Sequence, residues 1–494
     1  MVEGDYVVQT SEGGVSGPQH AFFGHLVGGD RSKSIFAEWS AAPGTLKIDV
    51  DDHGIWPLYY ATGPGFAAAS PSVLSLLGNG AGRDLDLDGL SIFVRLGFFL
   101  GDDTAFKSIR SLPPGGSVHW SSGSGLRVEA APRPVRQSDL SRSAAIDAYI
   151  DLFRKAIGRR IPDESFIMPL SGGRDSRHIL LELCRRNARP ALCVTTNLYG
   201  NRSAEDIRIA PRLAATVGVP WKALKPRFFE ICAELHKNRL TGFCADEHGW
   251  ALGISDFIAR QGVTTFFDGL GGDTLARSQF QSEKMLALHR AARFEELAEE
   301  LLSVWGLSET WLQHVLRPEF HSMLSRDRAV SRLVKELKQY EGHPTPIAAF
   351  FFWHRMRREV ALYTFRVIPQ SVNALCPYLD GDLVDFMLSL PGEYILDKRF
   401  HDDCIARAFP EFSNIPFEDR TVKSKGRGIY WRFLAASHAV YGLSGLGLSR
   451  LVNHTATLPR LAMGAFAGDT GKAKLLSNRG PAMLLYLTQL ERTI

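Results

Sequence analysis

Ser171-Gly172-Gly173-Arg174-Asp175-Ser176 closes an apolar run and opens a stretch with helical spacing. Residue types in that order suit the gripping of an anion. Two glycines without Cβ atoms let backbone N–H groups come close to an oxygen-rich group and point at it. A helix beginning at Asp175 adds the positive end of its dipole. The hydroxyls of Ser171 and Ser176 can donate to phosphate oxygens. A carboxylate at Asp175 would be repelled by a bare phosphate, so its presence implies an intervening Mg²⁺. The structural alternative is an ordinary strand-to-helix corner. At this turn there is neither G-x-x-x-x-G-K-[ST] nor G-x-G-x-x-G, which excludes the usual kinase loop and the dinucleotide fingerprint. A second glycine-and-acid stretch, Phe267-Asp268-Gly269-Leu270-Gly271-Gly272-Asp273, lies about a hundred residues on. There Asp273 is either a second cation ligand or a helix cap.

Elements to hold these loops are legible around them. Residues 144–157 have apolar positions at three-to-four spacing and predict a helix before a strand at 165–170. Further strands are predicted at 191–196 and 264–269, with a helix over 203–217. Strands alternating with helices imply an α/β domain with a doubly wound parallel sheet, whose ligands bind beyond the strands' carboxyl ends. Residues 1–125 read instead as β-rich, with β-branched and aromatic residues between glycine turns. The expected division is a β-rich domain over 1–125, a linker over 126–140, an α/β domain over 141–430 and a basic helical extension over 431–494, with SSGSG at 121–125 and APRPVRQSD at 131–139 read as loop around the first boundary. From Thr421 onward ten Lys or Arg face only Asp469 and Glu491. That basic tail suits phosphates or an acidic partner, with a solvated helical face as the alternative. The overall charge of +4 makes no case for nucleic acid, and the tail lacks interleaved aromatics. Six cysteines without a C-x-x-C pair fit a reducing compartment. No signal peptide and no apolar run of 18 residues is seen, so a cytoplasmic protein without a membrane span is expected.

S-G-G-x-D-S is the pyrophosphate loop of ATP pyrophosphatases, enzymes that transfer AMP to a carbonyl oxygen. Several stretches make the chain resemble asparagine synthetases in particular. The 267–273 loop resembles that family's S-G-x-G-x-D-E, and Cys376-Pro377-Tyr378-Leu379-Asp380 resembles its P-F-L-D. Arg420-Thr-Val-Lys-Ser-Lys-Gly426 resembles its R-x-K segment; VDDHGIWPLYY and FKSIRSLPPGG resemble two upstream motifs. The resemblance implies an adenine nucleotide alpha hydrolase-like sheet behind a smaller, Ntn-like β-rich domain. It also implies ATP and Mg²⁺ as cofactors. Ser171, Gly172, Gly173 and Ser176 would grip pyrophosphate, and Asp175 and Asp273 would hold the cation. Val194 matches the position whose backbone reads adenine, and Gly269 would let the second loop approach the nucleotide. Lys423 and Lys425 compete to neutralise charge on the acyl-adenylate, since the segment is one residue longer than usual.

Departures from the family narrow the chemistry. The glutaminase cysteine is missing: position 2 is Val2 and no cysteine precedes Cys184. The N-terminal domain therefore reads as inactive toward glutamine, and as truncated because its DHG–PLY segment lies near residue 52 where the family has it well over a hundred residues in. The amine must be ammonia or be carried by the substrate, as in β-lactam synthetases and lasso-peptide macrolactam synthetases. Leu270 occupies the slot of the β-lactam formers' tyrosine and cannot accept a proton. Glu359 lies near the place of the partner glutamate and is either a general base or a salt-bridged glutamate in a basic helix. Asn373-Ala-Leu375 replaces an E-x-R that recognises aspartate, which points to another acyl group. The leading expectation is an AMP-forming ligase closing a macrolactam in a lasso precursor, on a peptide or small carboxylate carrying its own amine. A precursor-processing protease is a possible partner. An ammonia-using synthetase for asparagine or a cell-surface sugar acid, and a non-catalytic nucleotide-binding scaffold suggested by Leu270 and Thr274, are the alternatives.

Overall fold

The computed structural model describes residues 6–130, 135–198, 203–226, 229–277, 280–418, 427–443, 449–467 and 480–494. The β-rich part contains β1 (Val8–Ser11), β2 (Gly14–Ser16), β3 (His20–Val27), β4 (Asp30–Ala42), β5 (Thr45–Val50), β6 (Tyr59–Gly63), β7 (Phe66–Ser70), β8 (Ile109–Ser111), β9 (Ser117–Ser121) and β10 (Gly125–Glu129). They form two antiparallel sheets, ordered β2-β1-β7-β6-β8 and β10-β9-β5-β4-β3. The sheets pack across Val8, Ile35, Ala37, Ile48 and Ala69, all buried. Residues 121–125, expected to be loop, turn a hairpin from β9 into β10. Leu126 and Val128 alternate with polar residues on that exposed edge strand, so pairing to β9 holds it without a buried face.

The third sheet is parallel: β11 (Ile167–Pro169), β12 (Leu192–Thr196), β13 (Trp221–Leu224), β14 (Thr265–Phe267) and β15 (Asn373–Leu375) run in the order β13-β12-β11-β14-β15. Cys193, Val194, Phe266 and Phe267 are fully buried, as befits strands covered on both sides. The order reverses between β11 and β14, which places the ligand crevice of a doubly wound sheet at their carboxyl ends. Helices Arg142–Gly158, Asp175–Arg185, Ala204–Thr216 and Leu252–Gln261 accompany the sheet. Strands β13 and β15 have no counterpart in the sequence reading. Each is only three or four residues long and, unlike β11 and β14, is not followed by a glycine-rich turn that marks it in the sequence.

One buried helical rod ties the two halves together. It runs as Pro346–Phe351, then as π-helical turns over Phe352–Val360 and Tyr363–Val367. π-turns are rare and tend to occur at functional sites. Arg357 donates to the carbonyls of Leu112 and Gly101, and Arg358 to those of Gly101 and Asp103. These bonds pin the LPPGG corner of the β-rich half to the rod. The DHG turn meets it too. Asp51 accepts backbone N–H bonds from His53, Ile55 and Trp56, and a Cβ on Gly54 would lie 3.0 Å from Pro114 and 3.3 Å from Arg357. On the other side, fully buried Asp380 takes both Arg159 and Arg160, while Arg160 also donates to the Lys33 carbonyl. The P-Y-L-D segment is thus an interdomain anchor. Three helices lie toward the carboxyl end, Arg427–Leu443, His454–Ala467 and Gly480–Glu491. No helix among the described residues is long and apolar enough to cross a membrane.

Candidate active site

Strands β11 and β14 are neighbours, so the loops that leave their carboxyl ends must meet. They meet at Asp175. A Cβ on Gly269 would lie 3.0 Å from the Asp175 Cβ, and one on Gly272 only 2.6 Å from Asp175 Oδ1. Glycine at 269 and 272 is therefore a packing requirement of the two loops. Gly271 adopts φ +93°, a conformation that strains any residue with a Cβ, and lets the loop turn into the short helix Gly272–Ala276. Before it, Asp268 is buried and accepts from Thr364 Oγ1 at 2.6 Å, so the π-helical rod sets the second loop's position.

Within the first loop, helix Asp175–Arg185 begins without a side-chain cap, which leaves its amino end for a ligand. Ser171 N–H donates to Ser176 Oγ at 3.0 Å and Gly173 N–H to Ser171 Oγ at 3.1 Å. Gly172 N–H donates to Asp206 Oδ1 at 2.7 Å. A carboxylate oxygen thus sits where the sequence reading places a phosphate oxygen. Asp206 was not anticipated; an acid in the first turn of a helix that follows β12 was the available signal. Val194 lies fully buried in mid-strand and its carbonyl accepts from Leu170 N–H. Lys423 and Lys425 lie outside the described residues. The chain leading to them is nonetheless placed on the loop: Glu418 N–H donates to Gly172 O, and buried Arg177 donates to the carbonyls of Ile415 and Pro416. Arg174 and Arg177 both cover the Phe417 ring, at 4.3 and 4.2 Å.

Asp175 and Asp273 bring hard carboxylate oxygens to two touching loops. That donor set fits Mg²⁺, which takes one or two carboxylates together with substrate phosphates. Asp175 keeps 25% of its side chain exposed, enough to reach a ligand above the loop.

Glu359 sits on the rod and is 1% exposed. Its Oε1 lies 3.0 Å from Nε2 of His248, which is also buried and held at φ +77°. The approach is off the hydrogen-bonding direction, so both groups retain capacity for another partner. Burial opposes charge on each, yet the pair prevails. The Glu359 carboxylate lifts His248 above its ordinary pKa of 6.5, and His248 with Arg355 holds Glu359 below the usual carboxylate value. Arg355 feels Glu359, Glu247 and Asp273 together, which places the pair beside the second loop. Tyr363 links them as well, its ring tilted against that of His248 at 6.0 Å between centroids and its side chain hydrogen-bonded to Asp268. Glu247, His248 and Glu359 could gather donor atoms within 4.8 Å for a metal. Arg355 next to Glu247, and Lys237 near Glu359, already balance that charge. The cluster D-E-H at 246–248 was the sequence signal for His248.

Comparisons with known proteins bear on this arrangement. Residues 148–401, just over half the chain, match the asparagine synthase family. No curated protein matches. Among solved structures, U34-tRNA thiolase NcsA from Methanococcus maripaludis with its [4Fe-4S] cluster is 13% identical, with a TM-score of 0.22 over 42% of this chain and 77% of that one. The allosteric regulatory enzyme of purine biosynthesis is 12% identical, TM-score 0.14, over 40% of this chain and 33% of its own. Glutamine phosphoribosylpyrophosphate amidotransferase from B. subtilis complexed with ADP and GMP is 12% identical, TM-score 0.15, over 49% and 44%. The chain thus spans less than half the length of the last two proteins. The matched region contains both glycine loops, the π-helical rod and the P-Y-L-D anchor, and this chain belongs to the asparagine synthase family of ATP-dependent ligases that form carbon–nitrogen bonds.

Proposed function

We propose that this ligase adenylates a carboxylate and joins it to an amine carried by the same substrate, with macrolactam closure in a lasso-type precursor peptide as the specific reaction. The observation that carries the reading is the buried His248–Glu359 pair beside the second loop, which gives an incoming amine a proton acceptor. The absence of cysteine from residues 1–183 supports it, because the β-rich half then has no thiol to take ammonia from glutamine.

In the first step a substrate carboxylate oxygen attacks the α-phosphorus of ATP, and the bond to pyrophosphate breaks. Ser171, Ser176 and the N–H groups of Gly172 and Gly173 hold the leaving pyrophosphate, with Gly172 exchanging Asp206 for a phosphate oxygen. Asp175 and Asp273 would hold Mg²⁺, which when bound screens the phosphate charge. Lys423 or Lys425 neutralises charge on the departing groups. In the second step the amine attacks the acyl carbonyl and AMP leaves. Glu359, with His248 behind it, takes the proton that the nitrogen loses. Leu270 is buried in the second loop and contributes packing alone.

Incubating the protein with ATP and a peptide bearing both a free N-terminus and an Asp or Glu side chain tests this. AMP and pyrophosphate should appear in step with loss of one water from the peptide. Release that depends on glutamine, or on ammonium without peptide, would overturn it; the ammonium result would favour the asparagine or sugar-acid alternative.

A further inference from the structure

Two consecutive residues of the first loop are gripped by two consecutive residues of one helix. In helix Phe400–Ala408, Asp402 accepts from Arg174 Nε and Nη2, at 2.6 and 3.0 Å. His401, fully buried, places Nδ1 3.2 Å from Asp175 Oδ1. His401 is backed in turn by His178, whose Nδ1 lies 3.2 Å from His401 Nε2. Tyr378 donates its hydroxyl proton to the Asp175 backbone carbonyl at 3.0 Å, so that proton is not available to His401. The arrangement that keeps a nitrogen lone pair of His401 from facing the Asp175 carboxylate has His178 Nδ1–H donating to His401 Nε2, which the Tyr378 hydroxyl oxygen also approaches at 3.4 Å, and the His401 proton on Nδ1. This N–H is off the ideal line to Oδ1 and has no better acceptor among the described residues.

We propose that His401 is a positioning residue for Asp175: its Nδ1–H engages one carboxylate oxygen against Gly272 and leaves the other as the cation ligand. The inference rests on the reading of Asp175 as that ligand. A ligating carboxylate left to rotate would lose affinity for its metal, and partners behind metal ligands typically govern 10- to 100-fold in affinity. His178 serves the same end one step further back by fixing which nitrogen of His401 bears the proton. Asp402 fixes the neighbouring Arg174, so the helix sets the loop backbone and the carboxylate together.

The test is the Mg²⁺ concentration that half-saturates binding of a non-hydrolysable ATP analogue, followed calorimetrically, with thermal unfolding as the check on folding. His401→Leu and His401→Gln should raise that concentration roughly 10- to 100-fold. His401→Asn, whose amide nitrogen reaches the Nδ1 position, should stay within about twofold of wild type by the same reasoning. If the leucine variant does not fold, the contrast between Gln and Asn decides. A folded Leu or Gln variant with a wild-type Mg²⁺ midpoint overturns the proposal. Asp175→Asn separates the two levels. If it leaves the midpoint unchanged, the ligand reading fails; if it shifts the midpoint and His401→Gln does not, only the role of His401 falls.

Discussion

Gly272→Ala puts the loop contact itself under test. The added methyl carbon would lie 2.6 Å from both Asp175 Cγ and Oδ1, and 3.0 Å from the Tyr378 ring. Ordinary non-bonded contact is about 3.5–4.0 Å, so the two loops must separate by roughly an ångström at this point. Neither neighbour yields cheaply, because Tyr378 is buried and hydrogen-bonded to the Asp175 backbone. Overpacking of this kind costs about 1–3 kcal/mol, which a chain with so large a core survives. A displacement of about 1 Å in a reacting constellation costs on the order of a hundredfold in rate. The expected result is a variant that unfolds within a few degrees of wild type yet exchanges pyrophosphate into ATP about a hundredfold more slowly. Gly123→Ala, where a Cβ would meet nothing within 4 Å, is the matched control and should be neutral. Wild-type exchange in a folded Gly272→Ala protein would refute the idea that the loops work by contact at Asp175.

Other expectations concern protons and anchors. Glu359→Gln should lower kcat about 10²- to 10⁴-fold while pyrophosphate exchange persists, because the proton acceptor serves only the second step. Since Glu359, opposed by burial and by Arg355, raises His248 above 6.5, kcat/KM should climb through a midpoint above that pH. An unchanged profile in His248→Asn would exclude the pair from the reaction. Arg177→Met leaves the Ile415 and Pro416 carbonyls without their donor, at about 1–3 kcal/mol apiece, and unmoors the segment that leads to Lys423. Unfolding temperature and kcat should both fall, and Arg177→Lys should not restore them, since an ammonium lacks the guanidinium's fork. Burial pushes the pKa of His25 and of His343 down to about 4, so the folded chain refuses protons that the unfolded chain accepts near 6.5. Their contribution to stability is complete above about pH 6.5 and is lost as pH falls toward 4, roughly 3 kcal/mol for each. Urea midpoints measured from pH 7 to pH 4.5 should drop less steeply for His25→Gln than for wild type; equal slopes would count against this.

The chemistry of the first loop and the strand-loop-helix frame around it could be read from the sequence. Glycine pairs, hydroxyls and an acid at fixed spacing express local backbone requirements, and a run such as Leu192–Thr196 declares a buried parallel strand through its composition. Strand β15 escaped because its three residues are not followed by a glycine-rich turn, although it closes the sheet behind the second loop. The residues around Glu359 in sequence suit a base and a salt-bridged glutamate equally. Only the fold brings His248 to it across more than a hundred residues, in a buried setting where their charges strengthen each other. His401 and Asp206 were invisible for the same reason. Nothing local distinguishes a histidine in a charged helix turn from one aimed at Asp175, or an acid in a helix's first turn from one bonded to Gly172. Residue type and local spacing determine what a loop can bind, whereas pairing across the chain, desolvation and orientation, which depend on tertiary packing, decide which side chains act on what is bound there.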